Sequence, residues 1–232
     1  SFSMTLSDNW KIQSSNEVTD QGEHLSTDAS LSTNWIPAIV PSTVLGTLVN
    51  NNTYSNPYFG ENLKEIPTQL FNVPWWYTNS FELSEEQANK YASLNFDGIN
   101  YKANVWLNGE LIANSSHIDG AFRITSFDVS KQIKEGVNVL AIEVIPPKPG
   151  DFSIGFVDWN PSPPDGNMGI FRAVTLHLHG GVCLEKPFVM TQVDLESLKA
   201  ADVSVSVEVK NYSDKTISGE IVGNIGSKSF GK

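Results

Sequence analysis

The run Lys102-Ala103-Asn104-Val105-Trp106-Leu107-Asn108-Gly109-Glu110-Leu111-Ile112 leaves the chain little local choice. Ala103, Val105 and Leu107 fall on one face at a period of two, and Asn-Gly is the dipeptide that tolerates positive φ at both central positions of a two-residue turn. A β-hairpin over 101–113 follows. The same alternation recurs at 75–83, 92–96, 121–129, 137–145 and 170–179, with Leu140, Ile142 and Val144 on one side of their strand and Val174, Leu176 and Leu178 on one side of theirs. Strands at short spacing with almost no helix between them predict an all-β sandwich. One short helix is expected, where Ser42 and Thr43 offer an N-cap to Val44, Leu45, Leu48 and Val49 ahead of the Asn50-Asn51-Asn52 run. Around Trp10 and Trp35 short extended pieces joined by loops are expected instead.

Composition narrows the class of protein. With 232 residues, 40% hydrophobic and 18% charged, the chain can bury one sizeable core, and no apolar run approaches the ~20 residues of a membrane helix. A formal charge of −11, from 15 Lys and Arg against 26 Asp and Glu, argues against binding to nucleic acid or an anionic membrane, which needs clustered positive charge, and points to neutral or cationic partners. The single cysteine, Cys183, rules out an internal disulfide and reads as a small buried hydrophobe. His177 and His179 stand two apart, which a polar strand face explains without a metal. No cofactor or metal site is evident. Triplets that could accept N-glycans begin at Asn51, Asn114 and Asn211.

After Gly180-Gly181 the texture changes, and Val203-Ser204-Val205-Ser206-Val207-Glu208-Val209 alternates strictly. A first domain over 1–182 and a second β domain over 183–232 are therefore expected. Two or three strands cannot bury a core alone, so the second is expected to be cut short. Ser1-Phe2-Ser3-Met4 has neither the basic start nor the apolar core of a signal peptide.

One stretch fits neither strand nor helix. Asp158-Trp159-Asn160-Pro161-Ser162-Pro163-Pro164-Asp165-Gly166-Asn167-Met168-Gly169-Ile170-Phe171-Arg172 combines prolines and glycines with two carboxylates, two amides and an indole, between apolar runs. It must be a shaped loop, either a tight connection between strands or a binding loop on a sheet scaffold. A second irregular stretch, 53–72, contains Asn56-Pro57-Tyr58-Phe59-Gly60-Glu61-Asn62.

Three blocks together, Val73-Pro74-Trp75-Trp76-Tyr77 with Phe81, the run from Asn95-Phe96-Asp97-Gly98-Ile99-Asn100 through Asn108-Gly109, and loop 158–172, resemble the N-terminal sugar-binding domain of glycoside hydrolase family 2. Asp158-Trp159-Asn160-Pro161, Pro163-Pro164-Asp165 and Asn167-Met168-Gly169-Ile170 are similar to the exo-β-glucosaminidase branch, which is related to the β-mannosidases. A mannosidase more typically shows Trp-Asp-Trp-Gly-Pro here, whereas Val157 precedes Asp158 and Asn160 follows Trp159. The resemblance implies a galactose-binding-like jelly roll, then the start of an immunoglobulin-like sandwich, and a TIM barrel absent from this chain. That barrel would carry both catalytic carboxylates, so none is assigned here and the fragment alone is expected to be inactive. The substrate implied is a carbohydrate, a terminal β-linked sugar such as glucosamine, and Asp158, Trp159, Asp165 and Asn167 are the positions matched to binding it. Tyr58 and Asn62 are second candidates. For Asp165 and Asn167 a turn role is open beside ligand contact, and Trp159 could pack under its own loop. Arg172 reads as structural. β-Mannosidase and a free-standing carbohydrate-binding module are the alternatives. An enzyme acting on polysaccharide ends implies a secreted or periplasmic location, with a cytoplasmic one left open.

Overall fold

A computed structural model of the chain describes residues 2–155 and 158–231. They form two units, Ser1–Leu178 and His179–Lys232, dividing slightly before the boundary expected from sequence. The first unit contains strands β1 (Phe2–Thr5), β2 (Trp10–Ser14), helix α1 (Gly22–Leu25), β3 (Ile36–Ala38), β4 (Ser42–Thr43) and helix α2 (Val44–Asn50). It continues through β5 (Trp75–Leu83), α3 (Glu85–Ala88), β6 (Tyr91–Phe96), β7 (Lys102–Leu107), β8 (Glu110–Asp119), β9 (Thr125–Asp128), β10 (Gly136–Ile145), β11 (Gly169–Ile170) and β12 (Val174–His179). They form a four-stranded sheet in the order β1-β12-β6-β9, a six-stranded one in the order β3-β2-β5-β10-β7-β8 and a two-stranded pair of β11 with β4. The fold is all-β.

The period-two pattern decides which sheet face meets which. Tyr77, Val105, Leu107, Leu140 and Ile142 point from the six-stranded sheet into a core completed by Leu94, Phe96, Val174, Leu176 and Leu178 of the other. Their neighbours Trp76, Trp106 and Ala141 point to the opposite face, where α1 covers them with Leu25. The cover is close enough that a Cβ at Gly22 would overlap the Trp106 ring, so only glycine allows that approach. The expected hairpin is present: β7 pairs β8 antiparallel, and Asn108 and Gly109 adopt φ of 51° and 90°.

Local departures from expectation have simple causes. Residues 15–32 form short helical turns, not extended pieces, because Ser14 and Asp28 cap the backbone N–H groups of Asn16 and Ser30. The run 170–179 is interrupted between β11 and β12, since Ile170 pairs with Ser42 rather than continuing into the four-stranded sheet. Helix α2 forms as predicted, with the Thr43 hydroxyl accepting from the Gly46 N–H at 3.0 Å.

In the second unit, β13 (Val182–Val193) pairs with β14 (Ala201–Asn211) and β15 (Val222–Ile225) with β16 (Lys228–Gly231). A bulge between Glu185 and Phe188 preserves the facing of Leu184, Val189, Val203, Val205 and Val209, all of which are exposed. Cys183 is half-buried, which corrects the reading of a buried hydrophobe: its strand pairs with β14 and the side chains around it stay exposed. Among the described residues no helix is long and apolar enough to cross a membrane.

Candidate functional site: a loop with a fixed base

Loop 158–172 lies between β10, which ends at Ile145, and β12, and contains β11. Its lower half is a tight turn. Gly166 and Asn167 both take φ of 57°, and the Met168 N–H donates to the Asp165 carbonyl at 3.0 Å, as in a turn with two left-handed central residues. Glycine and asparagine are the residues that occupy this region at least cost, which explains their order here. The Asp165 side chain reinforces the turn by accepting the Asn167 N–H on Oδ1 at 2.9 Å.

Three further attachments fix the turn to the scaffold. Asp165 Oδ2 accepts the Leu45 N–H at 2.9 Å and the Met168 carbonyl accepts the Val44 N–H at 2.8 Å, so the loop satisfies two of the orphan donors at the start of α2. Asn100, just before β7, exchanges both backbone hydrogen bonds with Gly169 at 2.9 Å, and its Nδ2 donates to the carbonyls of Gly166 and Asn167, each at 2.9 Å. Gly169 lies at φ 146°, where a Cβ would stand 2.8 Å from the Ser42 carbonyl oxygen and 2.9 Å from the Tyr77 hydroxyl. Met168 and Ile170 are fully buried on either side of it.

Asp165 is 3% exposed. Burial pushes its carboxyl above the usual aspartate range, while the Leu45 and Asn167 N–H groups and the Thr43 hydroxyl pull it back. The nearby Tyr77 phenol is likewise pushed well up by burial, with the Asp165 charge adding to the shift. Thus the turn reading of Asp165, left open by the sequence, is the one its geometry supports, and Asn167 serves the same turn through its backbone.

The upper half of the loop is different. Asp158, Trp159 and Asn160 lie in an exposed turn, and Trp159 is 82% exposed, which removes the reading in which it packs under the loop. Val157, which sets this sequence apart from the mannosidase pattern, lies outside the described residues. Arg172 stacks its guanidinium over the rings of Phe171 and Phe122, at 5.5 and 5.9 Å, in place of an ion pair with a loop carboxylate. The loop at 56–62 closes on itself: Asn62 Nδ2 donates to the Asn56 carbonyl at 3.0 Å, leaving Tyr58 at the tip, 94% exposed. Among the described residues no hydrogen bond, ion pair or ring contact joins Tyr58 or Asn62 to loop 158–172. No group of three metal-ligating side chains occurs among them either, and His177 is engaged with the Ser3 hydroxyl at 2.6 Å.

Among the described residues of the loop, Asp158 is exposed and Asp165 is buried in its turn, so the two carboxylates serve different surroundings. The loop's free groups are one carboxylate, one amide and one indole on a rigid stem, the set that contacts hydroxyls, an ammonium and the C–H face of a sugar ring. Sequence reasoning missed Asn100, Leu45 and Tyr77 as parts of this site.

Residues 10–150 match the family described as glycosyl hydrolase 2 galactose-binding domain-like, well over half of the chain. The chain belongs to that family. Within glycosyl hydrolase 2 it is 36% identical over 229 residues to an exo-β-D-glucosaminidase of Streptomyces avermitilis, an alignment covering 98% of this chain and 25% of the relative. A mannosylglycoprotein endo-β-mannosidase of Lilium longiflorum is 31% identical over 239 residues, covering 90% of this chain and 24% of that protein. The crystal structure of the exo-chitosanase of Amycolatopsis orientalis superposes with a TM-score of 0.93 at 31% identity, over all of this chain and 27% of that one. The chain spans about a quarter of the length of the curated relatives it matches.

Proposed function

We propose that this galactose-binding-like domain is the N-terminal part of a glycosyl hydrolase 2 exo-glycosidase of the exo-β-glucosaminidase type, and that the tip of loop 158–172 forms one wall of the terminal-sugar site. The observation that carries the reading is the contrast within the loop: a base held by Asn100, Asp165 and Gly169, and a tip offering Asp158 and Trp159 to solvent. A group fixed in place before binding loses little entropy on meeting its ligand. Asp158 suits an amino or hydroxyl group of the sugar, and Trp159 its apolar face. Asp165 and Asn167 act on the sugar only through the turn they hold. Tyr58 is a second exposed contact, and Asn62 shapes its loop.

In this reading the catalytic carboxylates of a retaining mechanism, about 5 to 5.5 Å apart, lie on a barrel outside this chain. The fragment alone then binds glycans weakly and hydrolyses nothing, and further strands complete the second unit as an immunoglobulin-like sandwich. A polymer substrate places the enzyme outside the cytoplasm, secreted or periplasmic. The chain's charge of −11 favours the approach of a cationic amino sugar. A β-mannosidase is the second reading, supported by the similarity to the lily enzyme.

The test is steady-state kinetics of the full-length protein on aryl β-D-glucosaminide and aryl β-D-mannoside. The first reading expects the glucosaminide to be preferred, and Asp158→Ala and Trp159→Ala each to lower kcat/KM about tenfold or more, the loss of roughly 1.4 kcal/mol of binding. Preference for the mannoside selects the second reading. Unchanged kcat/KM in both variants removes the loop from the site.

A further inference from the structure

Asn100 stands 66 residues before the turn it touches, and it is 0% exposed. Its amide is used in one direction. Both hydrogens of Nδ2 go to the carbonyls of Gly166 and Asn167, the two left-handed residues of the turn, while Oδ1 is buried with no hydrogen-bond partner among the described residues. A buried acceptor left unmet is costly, so its presence here signals that the paired donors are what the position requires. Two carbonyls side by side can be met by an NH2 group and by no other neutral side chain of that length; an aspartate has only acceptors to offer when ionised. The same residue's backbone pairs with Gly169, so three of the four residues 166–169 of the returning chain, Gly166, Asn167 and Gly169, are indexed to one residue just before β7.

We infer that Asn100 is a positioning residue for sugar binding: it fixes the height and angle at which loop 158–172 leaves the sheet, and so where Asp158 and Trp159 stand, without touching the sugar. The inference rests on the proposed role of that loop's tip. A small rotation at the base displaces the tip by more, because Pro161, Pro163 and Pro164 make the segment between them stiff and transmit the change.

A matched control exists in the same domain. Asn138 is also 0% exposed and also donates Nδ2 to two carbonyls, those of Lys134 and Gly136, at 2.8 and 3.0 Å. It sits near the start of β10, whereas the Asn100 segment meets the opposite end, where the Tyr101 N–H donates to Ile145. The two ends are roughly 23 Å apart along the strand. Loss of Asn138 therefore reports on stability alone.

The experiment compares Asn100→Asp, Asn100→Ser, Asn138→Ala and Trp159→Ala in the full-length protein, with KM and kcat on an aryl β-D-glucosaminide read well below each variant's Tm. The expected result is a KM raised about tenfold in Asn100→Asp with a smaller change in kcat, an intermediate KM in Asn100→Ser, which keeps one donor, and a KM within twofold of wild type in Asn138→Ala despite its lowered Tm. If Asn100→Asp does not fold, the Asn100→Ser comparison with Asn138→Ala carries the test. KM unchanged in the Asn100 variants, while Trp159→Ala raises it, overturns the positioning role and leaves the proposed function standing. KM unchanged in all of them overturns both.

Discussion

The base and the tip of loop 158–172 are built from similar residue types and have opposite fates. At the base, Asp165 and Asn100 are buried; both Asp165 carboxylate oxygens and the Asn100 Nδ2 are committed to backbone partners on α2 and the turn, and the Asn100 backbone pairs with Gly169 of β11. At the tip, Asp158 and Trp159 face solvent, and no hydrogen bond or ion pair among the described residues holds either one. An aspartate in each place therefore means two things: at the base it accepts from backbone N–H groups that lack a helical partner, and at the tip its lone pairs stay open to solvent. The lesson is that a carboxylate's role in a loop is set by how many N–H groups already point at it.

If that division is right, substitutions at the base cost stability and those at the tip do not. Gly169→Ala should have the largest effect, because its φ of 146° is foreign to alanine and the new methyl would stand 2.8 Å from both the Ser42 oxygen and the Thr43 Cα. Strained backbone of this kind, together with forced repacking, amounts to about 3 kcal/mol or more. Denaturant unfolding of the domain measures it, and a change below about 1 kcal/mol would show the base to be adaptable.

Asp165→Ala comes next, at about 1 to 3 kcal/mol, since it strands the Leu45 and Asn167 N–H groups. A pH series on Asp165→Asn sharpens the point. Burial leaves the wild-type carboxyl titrating above its unfolded value of about 4, so the stability it contributes is full below that pH and is lost in part as pH rises through the folded value. The asparagine has no such titration. The Tm gap between the two should thus be widest near pH 4 and narrow toward neutrality; a gap that widens instead would mean that the N–H bonds outweigh burial.

How much of this was legible in the sequence depends on the distance between partners. The Asn108-Gly109 hairpin and the Thr43 cap are written within four residues, and both could be read directly. The strand alternation placed Leu107, Leu140 and Val174 on faces that the structure turns to the core, for the same reason. Loop 158–172 stood out by its composition, but the partners that give Asp165 and Asn167 their roles lie 120 and 67 residues away, at Leu45 and Asn100, where no local pattern marks them. The short turns over 15–32 were missed because single capping side chains, not a periodic face, stabilise them.

The smallest expected effect is also the most diagnostic. Trp159→Ala removes a large aromatic side chain that is 82% exposed, so it gives up little buried area, and the domain's stability should move by less than about 0.5 kcal/mol. Natural chains rarely keep an indole in water for its own sake, since exposed aromatic surface concentrates at sites that bind something. Unfolding curves for wild type and Trp159→Ala that coincide would leave ligand contact as the physical reason for the residue. A loss above about 1 kcal/mol would instead show that the ring packs on its own domain, and would erase the distinction between tip and base.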